Sequence, residues 1–227
     1  MKVADAVAAR FSARAFLDEP VETIQIQRIL DRARRAPSGG NLQPWHVYVV
    51  AGQKLQELIG RIRQRSLEHP RGEPSEYNVY PSDLHEPYRS RRFKCGEDLY
   101  AALGIPREDR PARLRQFAKN LQGFGAPMVL FFTIDRAMGQ NQWAHLGMFM
   151  QTVMLLAVEE GLHTCPQEAW SAFHSKVAEF IGMPEEQVFY CGMAIGHADL
   201  DHPVNQWRTE RAPLEDIANF LVDDELL

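Results

Sequence analysis

Apolar residues recur along this chain at two periods. Val3, Ala6 and Val7 keep a helical interval that predicts a short first helix over residues 2–9. Ile26, Ile29, Leu30 and Ala33 follow i, i+3, i+4, i+7 and predict an amphipathic helix over 21–35. Leu55, Leu58, Ile59 and Ile62 do the same for a basic helix over 54–66, and Phe173, Val177, Phe180 and Ile181 for one closed by Gly182 and Pro184. Three runs have no polar face: HVYVV at 46–50, PMVLFFTID at 127–135 and QVFYCGMAIG at 187–196. Short apolar runs of this kind predict buried strands. Trp143, Leu146, Met150, Val153, Met154 and Ala157 keep helical spacing, while Met148, Phe149 and Leu155 fall on other faces. A helix apolar nearly all round belongs in the centre of a core or at a dimer interface. Gly161 is its expected stop. Helices enclosing a few strands define an α+β domain.

Between these elements the pattern breaks. Residues 99–103 and 110–120 read as short helices around Gly104 and Pro106. Residues 68–87 are rich in Pro, Gly, Ser, Tyr and charge and lack a core period, so an insertion spans about 68–98. It is either a lid, with Tyr80 and Tyr88 lining a substrate, or a surface excursion. HTCPQEAW, 163–170, reads as a functional loop, and the tail from Leu214 to Leu227 as a helix packed on a partner.

Composition narrows the class. The 227 residues carry a net charge of -5, with 45% hydrophobic and 24% charged residues, which suits one domain over 1–227 and disfavours a nucleic-acid surface. No apolar run is long enough to span a membrane and no leader pattern is present. Three widely spaced cysteines, Cys95, Cys165 and Cys191, point to a reducing, cytoplasmic setting. His163, Cys165 and His174 match no zinc spacing, so no metal is expected. There is no GxGxxG, so any nicotinamide cofactor visits the site without a Rossmann domain to hold it.

Two stretches carry candidate chemistry. In APSGGNLQPW, Pro37 fixes φ, Gly39 and Gly40 allow close approach, and Asn41 and Gln43 add amides. Such a loop is either an ordinary glycine turn or a cradle for a flat heteroaromatic ligand such as a flavin. Arg10 and Arg14, four apart with Ser12 between them, are either solvated arginines or a clamp for a dianionic phosphate or a carbonyl edge.

RFSARAF at 10–16, followed by APSGGNLQPWHVYVV, FGAPMVLFFTIDR, GLHTCPQEAW, CGMAIGHAD and RTERAPL, resembles the FMN-dependent nitroreductase family, in the branch of the nitrobenzoate reductases. The motifs run in order from Arg10 to about Leu214. The resemblance implies a nitroreductase-like fold: a central mixed, mainly antiparallel sheet surrounded by helices, in an intertwined homodimer with two shared FMN sites. It implies cofactor contacts from Arg10, Phe11, Ser12 and Arg14, with Arg10 at the phosphate and Arg14 beside flavin N1 and O2. Pro37, Ser38, Gly39 and Asn41 would reach the flavin of the partner subunit. Gln142, Cys165, Pro166, Gln167 and Glu168 would lie along the ring, with a backbone N–H near Glu168 at N5 and no need for its carboxylate to titrate. Arg211, with Arg208 as the alternative, would close on the phosphate. The implied activity passes hydride from transient NADH or NADPH through FMN to a nitroaromatic or quinone-like acceptor, in ping-pong order and with no side-chain nucleophile. Enone or quinone reduction, dehalogenation and non-catalytic flavin binding are the alternatives on the same scaffold.

Overall fold

The computed structural model describes residues 1–223. Its frame is a four-stranded sheet in the order β1-β2-β4-β3, with β1 at Trp45–Ala51, β2 at Met128–Asp135, β3 at His163–Gln167 and β4 at Gln187–Gly196. Every pairing between these strands is antiparallel. The expected mixed character reduces to one parallel bridge, Ser12 to Thr164. The two longest apolar runs, β2 and β4, take the central positions, where both faces are covered.

Helices α2 (Thr23–Ala33) and α6 (Gln140–Glu159) cover one face, placing Ile26, Ile29, Leu146 and Val153 against Leu130, Phe132 and Ile195. On the other face lie α3 (Gly52–Glu68), α7 (His174–Ile181) and Trp170, packed on Val129, Phe131 and Phe189. Gly192 makes the second layer possible: a Cβ there would sit 2.6 Å from Trp170 Cδ1. The predicted stop of α7 is present as a left-handed Gly182 with φ 65°.

Several expectations need correction. β1 is an edge strand, not a buried one, and Val49 is 42% exposed. HTCPQ is an edge strand, not a loop; it pairs with β4 from His163–Gly196 to Gln167–Gly192. An edge tolerates Pro166, which has no N–H to give the ladder. The outer face of α6 is not enclosed in the single chain, and Met148 is 46% exposed.

The later part of the 68–98 insertion is helical, for α4 runs from Tyr88 to Ala102 and absorbs the predicted helix at 99–103. The first part of the insertion is fastened down: Glu73 is buried, accepts from Arg65 Nε at 2.8 Å and from Ser175 Oγ at 2.6 Å, and Glu76 pairs with Arg136 at 2.9 Å. The tail is not a helix; up to Asp223 it holds one short turn at Leu214–Asp216, and the remainder of the helix expected to Leu227 lies outside the described residues. Among the described residues no helix is long and apolar enough to cross a membrane.

Candidate active site

The RFSAR segment leaves α1 (Val3–Ala9) and runs along the free edge of β3. Ala13 N donates to the Thr164 carbonyl at 3.0 Å beside the Ser12–Thr164 bridge. Two motifs about 150 residues apart in sequence are thereby joined. A third is stapled on by buried Asn205, which accepts from Arg14 N at 2.8 Å and donates to the Ala15 and Asp199 carbonyls at 2.8 and 2.7 Å. This brings Trp207, Arg208 and Arg211 beside Arg10, Phe11 and Arg14.

The cluster is cationic. Burial first, and then the charge of Arg211, pushes the Arg10 guanidinium below its ordinary pKa. Arg208 lies 3.9 Å over the Phe11 ring, and the Arg14 guanidinium 6.0 Å from Trp207. Arg14 Nη1 donates to the Ser12 carbonyl at 3.2 Å, and Arg211 bonds locally to Thr209 and the Glu210 carbonyl. Among the described residues none of these four arginines pairs with a carboxylate; exposed arginines such as Arg63, Arg71 and Arg115 also lack one, so what sets this edge apart is the gathering of four. Four cations gathered without a counter-charge fit a bound phosphate dianion. A cleft of about 540 Å³ between α4 and the tail opens beside Trp207 and Arg211.

Along β3, Cys165 is 2% exposed and burial pushes its thiol up to about 11, despite Arg14 nearby; that thiol is no nucleophile at neutral pH. Pro166 stands opposite Met193. Gln167 is spent on the fold: its amide donates to the Asn120 carbonyl at 2.7 Å and accepts from Trp170 Nε1 at 3.3 Å. Glu168 opens the turn Glu168–Phe173, and its carbonyl accepts from Ser171 Oγ at 2.7 Å. Burial pushes its carboxyl up in pKa, partly offset by the Tyr190 hydroxyl. His163 faces Phe11 with ring centroids 5.3 Å apart, while His174 lies far off against Glu73.

The second loop is elsewhere. Pro37, Ser38, Gly39 and Asn41 precede β1, at the opposite edge of the sheet from β3. Three strand spacings separate those edges, roughly 14 Å. The loop is wound tightly: Ser38 Oγ accepts from Gln43 N at 3.0 Å, and Gly40, Asn41 and Gln43 hold φ of 58°, 55° and 49°. Its neighbour is α6, where a Cβ on Gly39 would come 3.1 Å from His145 Cε1. Gln142 caps α6 by accepting from Gly139 N at 3.1 Å. The two candidate groups therefore lie at opposite edges of the sheet within one chain. Tyr80 and Tyr88, considered as lining residues, are about half-exposed; Tyr80 lies under Arg92 at 4.0 Å and Tyr88 against His85.

Sequence reasoning did not find Trp207 or the aromatic group of Tyr77, Trp143 and Tyr190. No local motif marks them, because separate elements bring them together.

A helix-covered antiparallel sheet with arginines gathered along one edge defines an α+β protein with a cationic edge. Residues 7–197 match the nitroreductase family, and the chain belongs to it. The chain is 37% identical over 217 residues to a 4-nitrobenzoate reductase of Pseudomonas putida, covering 95% of this chain and 93% of that one. It is 36% identical over 217 residues to a nitrobenzene nitroreductase of Ectopseudomonas oleovorans, covering 96% of each. Among solved structures it superposes on the FMN and NADPH-dependent nitroreductase NfnB from Sphigopyxis sp. strain HMH with a TM-score of 0.96 and 44% identity, over 98% of this chain and 100% of that one.

Proposed function

We propose that this chain is an FMN-dependent nitroreductase that draws electrons from NADH or NADPH and passes them to a nitroaromatic or quinone-like acceptor, with two copies sharing two sites. The observation that carries this reading is the gathering of cations along the β3 edge, with Arg208 over Phe11 and Arg14 held by Asn205 beside Trp207. Similarity to nitrobenzoate and nitrobenzene reductases supports the acceptor class.

In this reading Arg10 and Arg211 take the FMN phosphate. Arg208, braced on Phe11, stands beside them as a second cation. Arg14, held by Ser12 and Asn205, places positive charge at the N1 and O2 edge, where reduction leaves negative charge. Cys165, Pro166 and Gln167 form the rigid floor, and the main chain at Glu168 turns its N–H toward N5. Pro37, Ser38, Gly39 and Asn41 complete the site of a second copy, and Gln142 lies near that boundary. Bound FMN would supply reversible two-electron chemistry, accepting hydride from the nicotinamide and returning it to the acceptor in ping-pong order. The residues bind, orient and tune charge, and none serves as a nucleophile.

Steady-state rates with a panel of 4-nitrobenzoate, a quinone, an enone and a halogenated aromatic test the assignment. The nitro compound should give the highest kcat/KM, with parallel double-reciprocal lines against NAD(P)H. Preference for the enone or the halide, or a yellow protein inert to all four, would overturn it.

A further inference from the structure

The cationic edge depends on a segment that the fold holds by few bonds. The tail from Trp207 to Ile217 carries Trp207, Arg208 and Arg211. Among the described residues no backbone hydrogen bond ties it to another element; its main-chain bonds, such as Asp216 N to the Pro213 carbonyl, stay within it. Leu214 and Ile217 are exposed, so burial does not anchor it within the chain either. At its start Arg208 lies over the Phe11 ring and donates to the Asn205 carbonyl. Further along, two ion pairs reach it from α4. Arg91 Nη2 stands 2.9 Å from Asp216 Oδ2, and Lys94 Nζ 3.2 Å from Glu210 Oε1. Arg91 and Lys94 are three apart on the helix and share a face. Asp98, one turn on, accepts from the Lys94 ammonium at 2.6 Å and orients it. The cleft of about 540 Å³ separates helix from tail, with Arg91, Lys94 and Asp98 on one wall and Trp207, Arg211 and Asp216 on the other. The two are bridged by charge across a gap, and α4 buries no residue of its own.

Resting on the function proposed above, we propose that Arg91 and Lys94 are positioning residues for the FMN phosphate. By holding Asp216 and Glu210 they latch the tail beside the RFSAR segment, and so keep Arg208 and Arg211 on the phosphate. They act through the tail and touch no part of the cofactor. Exposed ion pairs are weak, because water screens them and two long side chains must be ordered to form them. The latch therefore opens and recloses, and FMN leaves through the open form. The release rate follows the open fraction, so each lost pair raises it by a small factor.

The test follows FMN leaving the FMN-loaded protein, by the fluorescence the cofactor gains on release, at low and at high salt. Arg91→Gln and Lys94→Gln should each release FMN roughly 1.5- to 5-fold faster at low salt, the size of an exposed ion pair, and the double variant faster than either. Arg91→Glu sets two carboxylates against each other and should release faster still. Adding Asp216→Arg to it restores the pair with its signs reversed and should return the rate toward wild type, a rescue that a merely structural role would not give. Salt should speed release from the wild type more than from the Arg91→Gln/Lys94→Gln variant, which has no latch left to screen. With FMN saturating, every variant should bleach with NADPH at the wild-type rate. Wild-type release from the double variant, equal salt dependence in both proteins, no rescue by Asp216→Arg, or slowed bleaching at saturating FMN would overturn the latch. Those results in a protein that still holds FMN leave the function above intact, whereas a wild type that binds no FMN overturns that function itself.

Discussion

Arg14 shows how much one side chain can be asked to do. Its backbone N–H ties the segment to Asn205, its guanidinium is oriented by the Ser12 carbonyl, and it lacks a carboxylate partner among the described residues. Removing it should leave the fold intact and cost the ligand a charge-assisted contact. Such contacts contribute about 1.5–3 kcal/mol, so Arg14→Ala should weaken FMN binding roughly 10- to 150-fold or slow its reduction by NADPH. Fluorescence titration of the apoprotein with FMN measures the first and anaerobic stopped flow the second. Wild-type affinity together with wild-type hydride transfer would remove Arg14 from the site. Neighbouring residues differ in kind: Cys165 and Gln167 are consumed by the fold, Cys165 by burial and Gln167 by its bonds to Asn120 and Trp170.

At the scale of elements, what could be read from the sequence followed periodicity. The apolar runs of β2 and β4 and the i, i+3, i+4 stripes of α2, α3 and α7 appear where the pattern put them. β3 could not be read that way, because Pro166 interrupts it and its pairing with β4 is a long-range contact. Helix α4 was hidden because it buries no residue, so it has no apolar stripe to announce it. The bulge at Tyr190 leaves no trace in QVFYCGMAIG, since only the register with β2 defines it. The motifs gave the arginines and the β3 segment; the aromatic group of Tyr77, Trp143 and Tyr190 came from tertiary structure alone.

The insertion illustrates the same point, for its charged first half is a clasp. Burial alone would raise the pKa of Glu73, but hydrogen bonds from Ser175 and Arg65 outweigh it and hold the carboxyl below its usual 4.5. A lowered carboxyl pKa stabilises the fold above the unfolded value, and that stabilisation is lost as pH falls through the folded value. Glu73→Gln should therefore be destabilised at neutral pH by roughly 1–3 kcal/mol, the cost of leaving buried partners unsatisfied. Thermal unfolding from pH 7 to pH 3 should show the gap between the two proteins closing in acid. A gap that stays constant with pH would mean that the charge of Glu73 plays no part.

At the scale of the molecule, the proposed site needs a second copy of the chain. The two candidate groups lie at opposite edges of the sheet, β1 presents an unpaired edge among the described residues, and Met148, Ile217, Phe220 and Leu221 expose apolar surface. Exposed apolar surface of this kind marks an association surface, and a second copy would cover it while joining each β3 half-site to a Pro37–Asn41 half-site. Hybrids test this. A chain carrying Arg10→Ala is paired with one carrying Asn41→Gly, which keeps the left-handed turn and removes the amide. If sites are shared, the hybrid has one intact site and one doubly damaged site, so it should hold one tight FMN per dimer while neither parent holds any as tightly. A hybrid no better than its parents would place each site within one chain.

The most direct measurement is the visible spectrum of the purified protein, taken without oxygen before and after NADPH and again after 4-nitrobenzoate. The proposal that paired chains hold FMN on an arginine-lined strand edge predicts a yellow protein that bleaches with the nicotinamide and recovers its colour with the nitro compound. A preparation that stays colourless after soaking in excess FMN, or a yellow one that NADPH and NADH leave unchanged, would contradict it.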